Sequence, residues 1–418
     1  MGSLFDELTW RGLVHQHTDP AVPELLDNGG LTVYIGFDPT ADSLHIGHLL
    51  QLCNLRRLQD AGHRAIPVVG GATGMVGDPG GRSDERNLLD SDELARNVAA
   101  IRRQVEDLVP GVLVEDNGPW LKRLTALDFL RDVGKHFTVN QMVAKESVKA
   151  RFEGRDEGIS YTEFSYMLLQ AYDYLHLFDT YGCTLQMGAS DQWGNITAGI
   201  DLIRKVRSAS VYGLTTPLVL KADGTKFGKS ASGTVWLDAA KTSPYELFQF
   251  LVRSEDAVVG QYLRYFTWLA REEITELEHI TAEHPERREA QRALALEVTA
   301  LVHGRAEADR ALLASQALFS EDIASLDERM LLDVFADAPS SHRSRAELDG
   351  EGLALVPVLV GSGLASSNGD ARRAFPGVYV NNTKVSDPEH RMTTADLLHD
   401  TYIVLRKGKR SFHLLRFG

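Results

Sequence analysis

Cysteine is scarce in this chain, and its scarcity limits what can stabilise the fold. Only two cysteines, Cys53 and Cys183, occur among 418 residues, too few for a disulfide framework or a cysteine-rich zinc site. No apolar run approaches the roughly 18 residues that a membrane helix needs. The first residues, MGSLFDELTW, have no basic segment followed by an apolar one, as a secretory signal would. We therefore expect a cytoplasmic protein without a membrane anchor, whose 43% hydrophobic residues supply its cores.

Positive charge is also scarce overall, but it is unevenly distributed. The formal net charge is −14, which argues against indiscriminate attraction to polyanions. Residues 352–418 carry nine Lys and Arg against five Asp and Glu, a balance of +4, so the rest of the chain carries about −18. A basic carboxyl-terminal segment on an acidic body leaves a specific nucleic-acid partner open.

Short apolar runs alternate with longer amphipathic segments in the first part of the chain. LTVYIGF, RAIPVVGG and CTLQMGAS are typical of buried strands, whereas LLQLCNLRRLQDAG and QWGNITAGIDLIRKVR have helical spacing. This alternation predicts an α/β fold with a Rossmann-type doubly wound parallel sheet over residues 1–242. Ligands of such sheets bind at the carboxyl ends of the strands.

The strand pattern stops near residue 242. Residues 243–334 contain Ala and Leu at helical spacing and predict a separate all-α domain. The polar segment FADAPSSHRSRAELDGEG, residues 335–352, predicts a linker. Residues 353–418 predict a small α+β domain.

Two histidines flank a glycine just after the first predicted strand, in SLHIGHLL. A turn through Asp38 and Thr40 leads into a helix predicted from about Gly47, and the first turn of a helix presents unpaired N–H groups to an anion. Gly47 has no side chain, so a flat ring such as adenine can lie against its backbone. His45 and His48 can donate hydrogen bonds to phosphate oxygens. The alternative is a pair of surface or helix-capping histidines.

A second motif, KADGTKFGKSASG, places two lysines in a glycine-rich loop. Lys226 and Lys229, followed by Ser230, suit a leaving pyrophosphate, whose charge grows as its bond to the α-phosphorus breaks. A solvated lysine loop is the alternative.

A third segment, GGATGMVGDPGGRSDER, places Asp78 beyond a strand end. Arg82 and Arg86 follow as further candidates for phosphate contacts. Glycine-rich turns of this kind are common, so the segment is weak evidence by itself.

A polar stripe runs along the helix predicted from FSYMLLQAYDYL. Tyr166, Gln170 and Asp173 stand at i, i+4 and i+7 and therefore share one helix face. Such a stripe either lines a binding pocket or makes hydrogen bonds within the core or with solvent.

In their order and spacing these motifs resemble the HIGH and KMSKS signatures of class I aminoacyl-tRNA synthetases. Longer segments resemble the bacterial tyrosyl-tRNA synthetases in particular: YIGFDPTADSLHIGHL, GDPGGRSDER, FTVNQMVAKESVKARFE, YTEFSYMLLQAYDYLHL, GASDQWGNITAGIDLIR and ADGTKFGKS. The resemblance covers the whole chain. It implies a ligase that forms tyrosyl-adenylate from L-tyrosine and ATP and then transfers tyrosine to tRNA(Tyr).

The resemblance implies a tyrosine pocket of six residues: Tyr34, Asp78, Tyr166, Gln170, Asp173 and Gln192. Asp173 and Tyr34 would flank the phenol hydroxyl, and Gln192 would lie beside the reacting carboxylate. The other three would hold the α-ammonium group.

It also implies an ATP site. Its residues are Gly36, Asp38 and Gly47 along the nucleotide path, Asp191 at the ribose, and Thr40, His45, His48, Lys226, Lys229 and Ser230 around the phosphates and ribose. None acts as a covalent nucleophile, because the tyrosine carboxylate attacks the α-phosphorus and the protein positions the reactants and stabilises charge. Mg²⁺ would arrive with ATP, and no dedicated metal site is implied.

The carboxyl-terminal segment SSNGDARRAFPGVYVNNTKV resembles the S4-type RNA-binding fold, a helix followed by a turn and a strand pair. Its candidate tRNA contacts are Arg372, Arg373, Lys407, Lys409 and Arg410. An ordinary surface helix with a basic tail is the alternative. The resemblance makes this domain a clamp on tRNA and places the helical domain near the anticodon.

The resemblance further implies a homodimer, with the segment ISYTEF, residues 159–164, in the expected interface region. DNA is not an expected partner. Three other readings remain: a tryptophanyl enzyme of the same class, a non-catalytic RNA-binding protein on the same scaffold, and a shorter nucleotidyltransferase type. Tyr34 with Asp173 counts against the first, intact motifs against the second, and the additional domains against the third.

Overall fold

The structure is a computed structural model. It describes residues 2–78, 90–145, 148, 159–230, 233–317, 321–336, 338–375, 377–408 and 411–418. The chain divides into two compact units, Met1–Thr242 with Ser254–Leu294 and Ser243–Arg253 with Ala295–Gly418. The helices predicted as one domain, residues 243–334, are thus divided between the two units.

A six-stranded sheet forms the centre of the first unit. Its strands are β1 (Gln16–His17), β2 (Thr32–Phe37), β3 (Arg64–Val69), β4 (Glu115–Asp116), β5 (Cys183–Ala189) and β6 (Tyr212–Thr216). Their order is β1-β6-β5-β2-β3-β4, and β2 to β6 pair in parallel. The α/β fold is therefore confirmed.

The sheet is parallel except at one edge. The two-residue strand β1 pairs antiparallel with β6. An antiparallel partner needs no helical crossover, so this short strand can join the edge directly after the first helix of the chain. A pair of residues has no measurable apolar period, which explains why the sequence pattern missed it.

The strand order creates a crevice beside β2. From β2 the chain continues to β3 and β4 on one side and then returns to β5 on the other side of β2. Such a reversal separates the loops that follow the two adjacent strands, and ligands of open α/β sheets bind there. The loops after β2 and β5 carry Asp38 and Asp191.

Helices cover this sheet and extend the first unit. They are Leu4–Trp10, Val22–Asn28, Ile46–Asp60, Ser91–Leu108, Gly118–Leu121, Ala126–Asp128, Val139–Val143, Tyr161–Tyr181, Trp193–Arg207, Asp256–Phe266 and Arg271–Glu283. The helix Glu289–His303 contains the boundary between the units. A short antiparallel pair, β7 (Lys229–Ser230) and β8 (Gly233–Thr234), lies in the lysine loop. No helix in the described ranges has both the length and the apolar character to cross a membrane.

The helix Tyr161–Tyr181 carries the polar stripe into the core. Ser160 caps its first turn by accepting a hydrogen bond from the Glu163 N–H, and Gly182 ends it in a left-handed conformation, with φ of 64°, as glycine readily does. Its apolar face packs into the main core of the unit. Asp173 and Tyr166 are buried with that face, and Gln170 between them is partly buried.

Buried arginines anchor the helix Asp256–Phe266 within the first unit. The Arg57 guanidinium donates to the carbonyls of Tyr265 at 2.8 Å and Thr267 at 3.1 Å, and Arg11 also donates to Thr267. These carbonyls lie at the end of the helix, where backbone acceptors have no intrahelical partner. Two cations at the negative end of the helix dipole therefore complete its hydrogen bonding.

The second unit combines helices with a five-stranded sheet. Its helices are Pro244–Val252, Arg305–Ala317, Glu328–Val334, Leu355–Gly361 and Asn368–Ala374, and its strands are β9 (Ser340–Arg343), β10 (Leu353–Ala354), β11 (Val378–Val380), β12 (Thr383–Val385), β13 (Arg391–Met392), β14 (Tyr402–Lys407) and β15 (Ser411–Phe417). The larger sheet has the order β12-β11-β14-β15-β9. The predicted helix, turn and strand pair are confirmed, and the strands β11 and β12 meet at Asn381 and Asn382, both with positive φ, as a tight hairpin turn requires.

The segment 335–352 is not a simple linker, contrary to the prediction. Its strand β9 pairs in parallel with β15 at the sheet edge, and the side chains of Phe335 and Leu348 are buried. The strand sequence is SSHR, so an edge strand here has no apolar residue to reveal it. Composition alone therefore indicated a loop where tertiary pairing makes a strand.

Candidate active site

The paired histidines stand at the start of the helix Ile46–Asp60. His45 is its N-cap, and its Nδ1 accepts from the Gly47 N–H at 3.0 Å. The His45 N–H in turn donates to Nδ1 of His48 at 3.3 Å, and the two rings stack with centroids 3.9 Å apart. Both histidines therefore cap the helix start through their Nδ1 atoms. Because both Nδ1 atoms accept, each neutral ring carries its proton at Nε2.

The base of the lysine loop is bonded to this helix start. The Ile46 N–H donates to the Val235 carbonyl at 3.0 Å, and the Val235 N–H donates to the Gly228 carbonyl at 3.0 Å. A Cβ at Gly228 would lie 3.0 Å from Ile46 Cγ2. The two motifs, some 180 residues apart in sequence, thus meet through backbone hydrogen bonds.

The lysines themselves are only partly described. Lys226 is exposed at the loop base, and its positive charge opposes a rise in the pKa of Asp191, which places the two groups near each other. The pKa of Asp191 is nevertheless raised, by burial first and then by the negative charge of Asp78. The side chains of Lys229 and Ser230 lie outside the described residues.

Asp173 is the buried end of the polar stripe. Its carboxylate accepts from Asn117 Nδ2 at 2.9 Å and from Trp120 Nε1 at 2.7 Å. Burial raises its pKa to about 7, although both hydrogen bonds favour the charged form. A carboxylate with two donors already in place has lone pairs left for a further donor.

Tyr34 enters the same pocket from β2. Its hydroxyl oxygen accepts from Gln186 Nε2, on the neighbouring strand β5, at 2.6 Å. Burial, followed by the nearby Asp173 carboxylate, raises the pKa of Tyr34 well above its ordinary value. Tyr34 is therefore a neutral phenol whose own O–H can donate to another oxygen.

A chain of hydrogen bonds connects this end of the pocket with Asp38, after β2. Asn117 Nδ2 also donates to Thr73 Oγ1 at 2.9 Å, and Thr73 donates to Asp38 Oδ1 at 3.0 Å. The Tyr166 hydroxyl donates to the other oxygen of Asp38 at 2.9 Å. Gly70 makes room for this arrangement, since a Cβ there would lie 2.5 Å from Asp38 Oδ1.

The remaining pocket residues form a cluster of amides around Asp78. Gln192 Nε2 donates to Asp78 Oδ2 at 2.6 Å, and Gln170 Nε2 donates to Gln192 Oε1 at 3.2 Å. Asn195 Nδ2 donates to Gln170 Oε1 at 2.9 Å. The six residues expected in the tyrosine pocket thus fall into three hydrogen-bonded sets. Asp173 and Tyr166 belong to the chain through Asn117, Tyr34 pairs with Gln186, and Gln170, Gln192 and Asp78 belong to the amide cluster.

Two residues expected to contact ATP, one near the end of β2 and one after it, are exposed. Gly36 is exposed, and a Cβ there would have no neighbour closer than Tyr34 Cε2 at 4.0 Å. Thr40 is also exposed, in the loop before the helix. A Cβ at Gly47, in contrast, would lie 2.8 Å from Cε1 of His45, so this position tolerates no side chain while the histidine keeps its capping position.

Several candidate contacts are paired with acids or lie outside the described residues. Arg372 forms an ion pair with Glu389 at 2.8 Å, and Lys407 with Asp370 at 3.3 Å. Arg373 is exposed. Four candidates fall outside the described residues: Arg82, Arg86, Lys409 and Arg410.

Sequence reasoning missed Asn117, Trp120, Thr73, Gln186 and Asn195. Two of them had a usable signal. Asn117 directly follows β4, at the edge where ligands of a parallel sheet bind, and Gln186 interrupts the apolar strand CTLQMGA, where a buried amide needs a partner. The others become visible only through their contacts.

Comparison with known proteins identifies the class to which this fold and site belong. The profile of the family described as tRNA synthetases class I (W and Y) matches residues 26–320, so the chain belongs to that family. The profile of the tyrosine–tRNA ligase SYY-like C-terminal domain matches residues 331–415.

Two relatives of known name have a more specific description than the family profile, and both are tyrosine–tRNA ligases. The chain is 53% identical over 424 residues to a tyrosine–tRNA ligase from Roseiflexus castenholzii, covering 100% of both chains. It is 48% identical to the tyrosine–tRNA ligase from Geobacillus stearothermophilus, covering 99% of this chain and 100% of that one.

A solved structure agrees. The C-terminally truncated mitochondrial tyrosyl-tRNA synthetase from Aspergillus nidulans has a TM-score of 0.68 and 32% identity, covering 76% of this chain and 95% of that chain. A tryptophanyl-tRNA synthetase from Encephalitozoon cuniculi has a TM-score of 0.55 at 15% identity, covering 74% of this chain and 89% of that chain, which shows a shared fold alone.

Proposed function

We propose that the chain is a tyrosine–tRNA ligase. It forms tyrosyl-adenylate and pyrophosphate from L-tyrosine and ATP, and then transfers tyrosine to the 3′-terminal adenosine of tRNA(Tyr), releasing AMP. Membership of the family supports the reaction. The observation that carries the choice of amino acid is the buried Asp173 carboxylate opposite the neutral Tyr34 hydroxyl.

The phenol hydroxyl of the substrate is recognised as both donor and acceptor. It donates to Asp173, which Asn117 and Trp120 hold in place. It accepts from the Tyr34 O–H, which is available because Gln186 donates to the Tyr34 oxygen. A site built to bond a hydroxyl rejects the analogue without it by about 10⁴- to 10⁵-fold, and tyrosyl-tRNA synthetases are themselves the reference example of that rule.

The other end of the amino acid meets the polar network beside β5. Tyr166, Gln170 and Asp78 hold the α-ammonium group, and Gln192 lies beside the carboxylate. Because Gln192 already donates to Asp78, the two groups are held in register before the ligand binds. Preorganisation of this kind reduces the ordering that binding requires.

ATP lies across the loop after β2 and the start of the helix Ile46–Asp60. Gly36, Asp38, Gly47 and Asp191 face adenosine, with His48 near the ribose. Thr40 and His45 contact the γ-phosphate. The helix N-terminus favours the negative charge.

Lys226, Lys229 and Ser230 stabilise the pyrophosphate as it leaves, and Mg²⁺ enters bound to ATP. The tyrosine carboxylate attacks the α-phosphorus directly. The protein therefore contributes positioning and charge stabilisation and forms no covalent intermediate.

Transfer requires tRNA, which we place on the second unit through Arg372, Arg373 and Lys407, with Lys409 and Arg410 as further contacts. Arg82 and Arg86 contact pyrophosphate or tRNA. The ion pairs of Arg372 and Lys407 with acidic groups must then be exchanged for phosphate contacts. Such contacts position RNA and make binding weaker at high salt. The reaction takes place in the cytoplasm.

The protein acts as a homodimer. Four apolar side chains of the first unit are exposed, Leu127 by 78%, Leu130 by 52%, Val139 by 64% and Tyr161 by 69%. Tyr161 lies within the segment 159–164 that the resemblance places at the interface, and exposed apolar surface is typical of association sites. Light scattering after size-exclusion chromatography would give twice the chain mass of 46.2 kDa; a mass of one chain would reject the dimer.

The activity is tested by exchange of labelled pyrophosphate into ATP, with tyrosine, tryptophan and phenylalanine in parallel. Exchange with tyrosine alone, strongly reduced in Lys229→Ala, is the expected result. Exchange with tryptophan would favour the related synthetase. No exchange with any amino acid would favour a non-catalytic RNA-binding protein.

A further inference from the structure

His176 lies one helical turn beyond Asp173, on the helix Tyr161–Tyr181. Its imidazole stacks on the Trp120 indole, with ring centroids 4.3 Å apart and an interplanar angle of 18°. The N–H of the same indole donates to Asp173 Oδ1 at 2.7 Å. One helix therefore supplies both the carboxylate and the ring that packs on its donor.

Two directed contacts bear on the orientation of Trp120. Its helix, Gly118–Leu121, has only four residues, and its side chain is buried in the apolar core of the first unit. The hydrogen bond fixes where the indole N–H points, and a contact on the ring face restrains the plane about that bond. The His176 ring supplies such a contact.

We infer that His176 is a positioning residue for recognition of the tyrosine hydroxyl: it holds the Trp120 indole in the plane from which Nε1 donates to Asp173. It does not touch the substrate. The inference rests on the proposed function, because Asp173 is there the acceptor of the substrate hydroxyl.

The surroundings of His176 indicate the protonation state in which its ring stacks on Trp120. Glu115 in β4 and Asp179 on the helix of His176 both favour the protonated ring, whereas burial opposes it more strongly and lowers the pKa of His176. Glu115 also accepts a short hydrogen bond from the Tyr181 hydroxyl. At neutral pH the stack is thus between two neutral rings, which a phenyl ring can reproduce.

That property supplies the test. His176→Ala removes the stacking ring, and we expect the KM for tyrosine in pyrophosphate exchange to rise about five- to tenfold, as the bond from Trp120 to a charged acceptor weakens. The KM for ATP and kcat should stay within about twofold, because the stack lies on the phenol side of the pocket. His176→Phe should restore the KM for tyrosine to within about twofold.

A double-mutant cycle tests whether His176 acts through the indole. Trp120→Phe keeps an aromatic face but loses the N–H donor, so it should raise the KM for tyrosine by itself. Adding His176→Ala to it should raise the KM no further. His279→Ala, on an exposed part of the helix Arg271–Glu283, is the matched control and should leave every parameter unchanged.

Three results would overturn the inference. They are a His176→Ala enzyme with an unchanged KM for tyrosine, equal changes in both KM values with a lower melting temperature, and a His176→Phe enzyme as weak as the alanine variant. A wild-type protein without tyrosine-dependent exchange would instead overturn the proposed function, and the inference with it. The two failures are therefore distinguishable in one set of assays.

Discussion

Lowering the pH from 8 to 6 should weaken the binding of tyrosine in the absence of ATP, because the Asp173 carboxylate becomes protonated. Burial raises the pKa of Asp173 from its ordinary value of 3.8 to about 7 in the unliganded protein. The phenol of the substrate donates to the ionised carboxylate, and protonation replaces this charge-assisted hydrogen bond with a weaker one. The ionised fraction is about 0.9 at pH 8 and about 0.1 at pH 6, which sets the largest possible change. We expect the dissociation constant to increase by up to about tenfold.

Equilibrium dialysis with labelled tyrosine measures this constant directly, and the ammonium and carboxylate of the ligand do not titrate in this range. Asp173→Asn is the control, since it cannot ionise. The variant should bind tyrosine weakly and with no dependence on pH between 6 and 8. If the affinity of the variant for tyrosine also changed with pH, another titrating group would be responsible for the effect.

Trp120→Phe extends the test, because the direction in which it shifts the pKa of Asp173 follows from the structure. The indole N–H favours the charged form of Asp173, so its removal raises the pKa further and moves the loss of affinity to higher pH. An affinity for tyrosine that is equal at pH 6 and pH 8 in the wild-type protein would refute the reasoning. A shift of the profile to lower pH in Trp120→Phe would do the same.

Three further predictions concern the nucleotide side and stability. Gly47→Ala should reduce pyrophosphate exchange at least tenfold, since its Cβ would lie 2.8 Å from the His45 ring. Dialysis should show an unchanged affinity for tyrosine. Full exchange activity in the variant would contradict this prediction. Gln104→Ala should lower kcat for exchange several-fold without changing tyrosine affinity. The reason is that Gln104 Oε1 accepts from the Leu44 N–H at 2.7 Å and thereby holds the loop before His45. Weaker tyrosine binding in dialysis would count against this prediction. Arg57→Ala should destabilise the protein by about 3 kcal/mol, as it removes the Arg57 donor to the Tyr265 carbonyl and one of the two arginine donors to the Thr267 carbonyl. An unchanged urea midpoint would exclude that anchoring role.

Much of the candidate site was predictable because its residues are close together in sequence. Tyr166, Gln170 and Asp173 share a helix face through spacing alone, and the histidines beside Gly47 stand at a helix start that the sequence predicts. The buried core strands could likewise be recognised from their apolar runs. Short or polar strands such as β1 and β9 could not, since they have no apolar period.

The sequence by itself determined the α/β class, the places of the histidine and lysine motifs and the polar helix face, because each depends on periods or turns within a few residues. Only the tertiary structure decided which partners hold those groups. Asn117 and Trp120 reach Asp173 across 56 and 53 residues, and Gln186 reaches Tyr34 across 152. The raised pKa of Asp173 likewise exists only where the sheet and helix exclude water, because desolvation is a property of everything packed around a group.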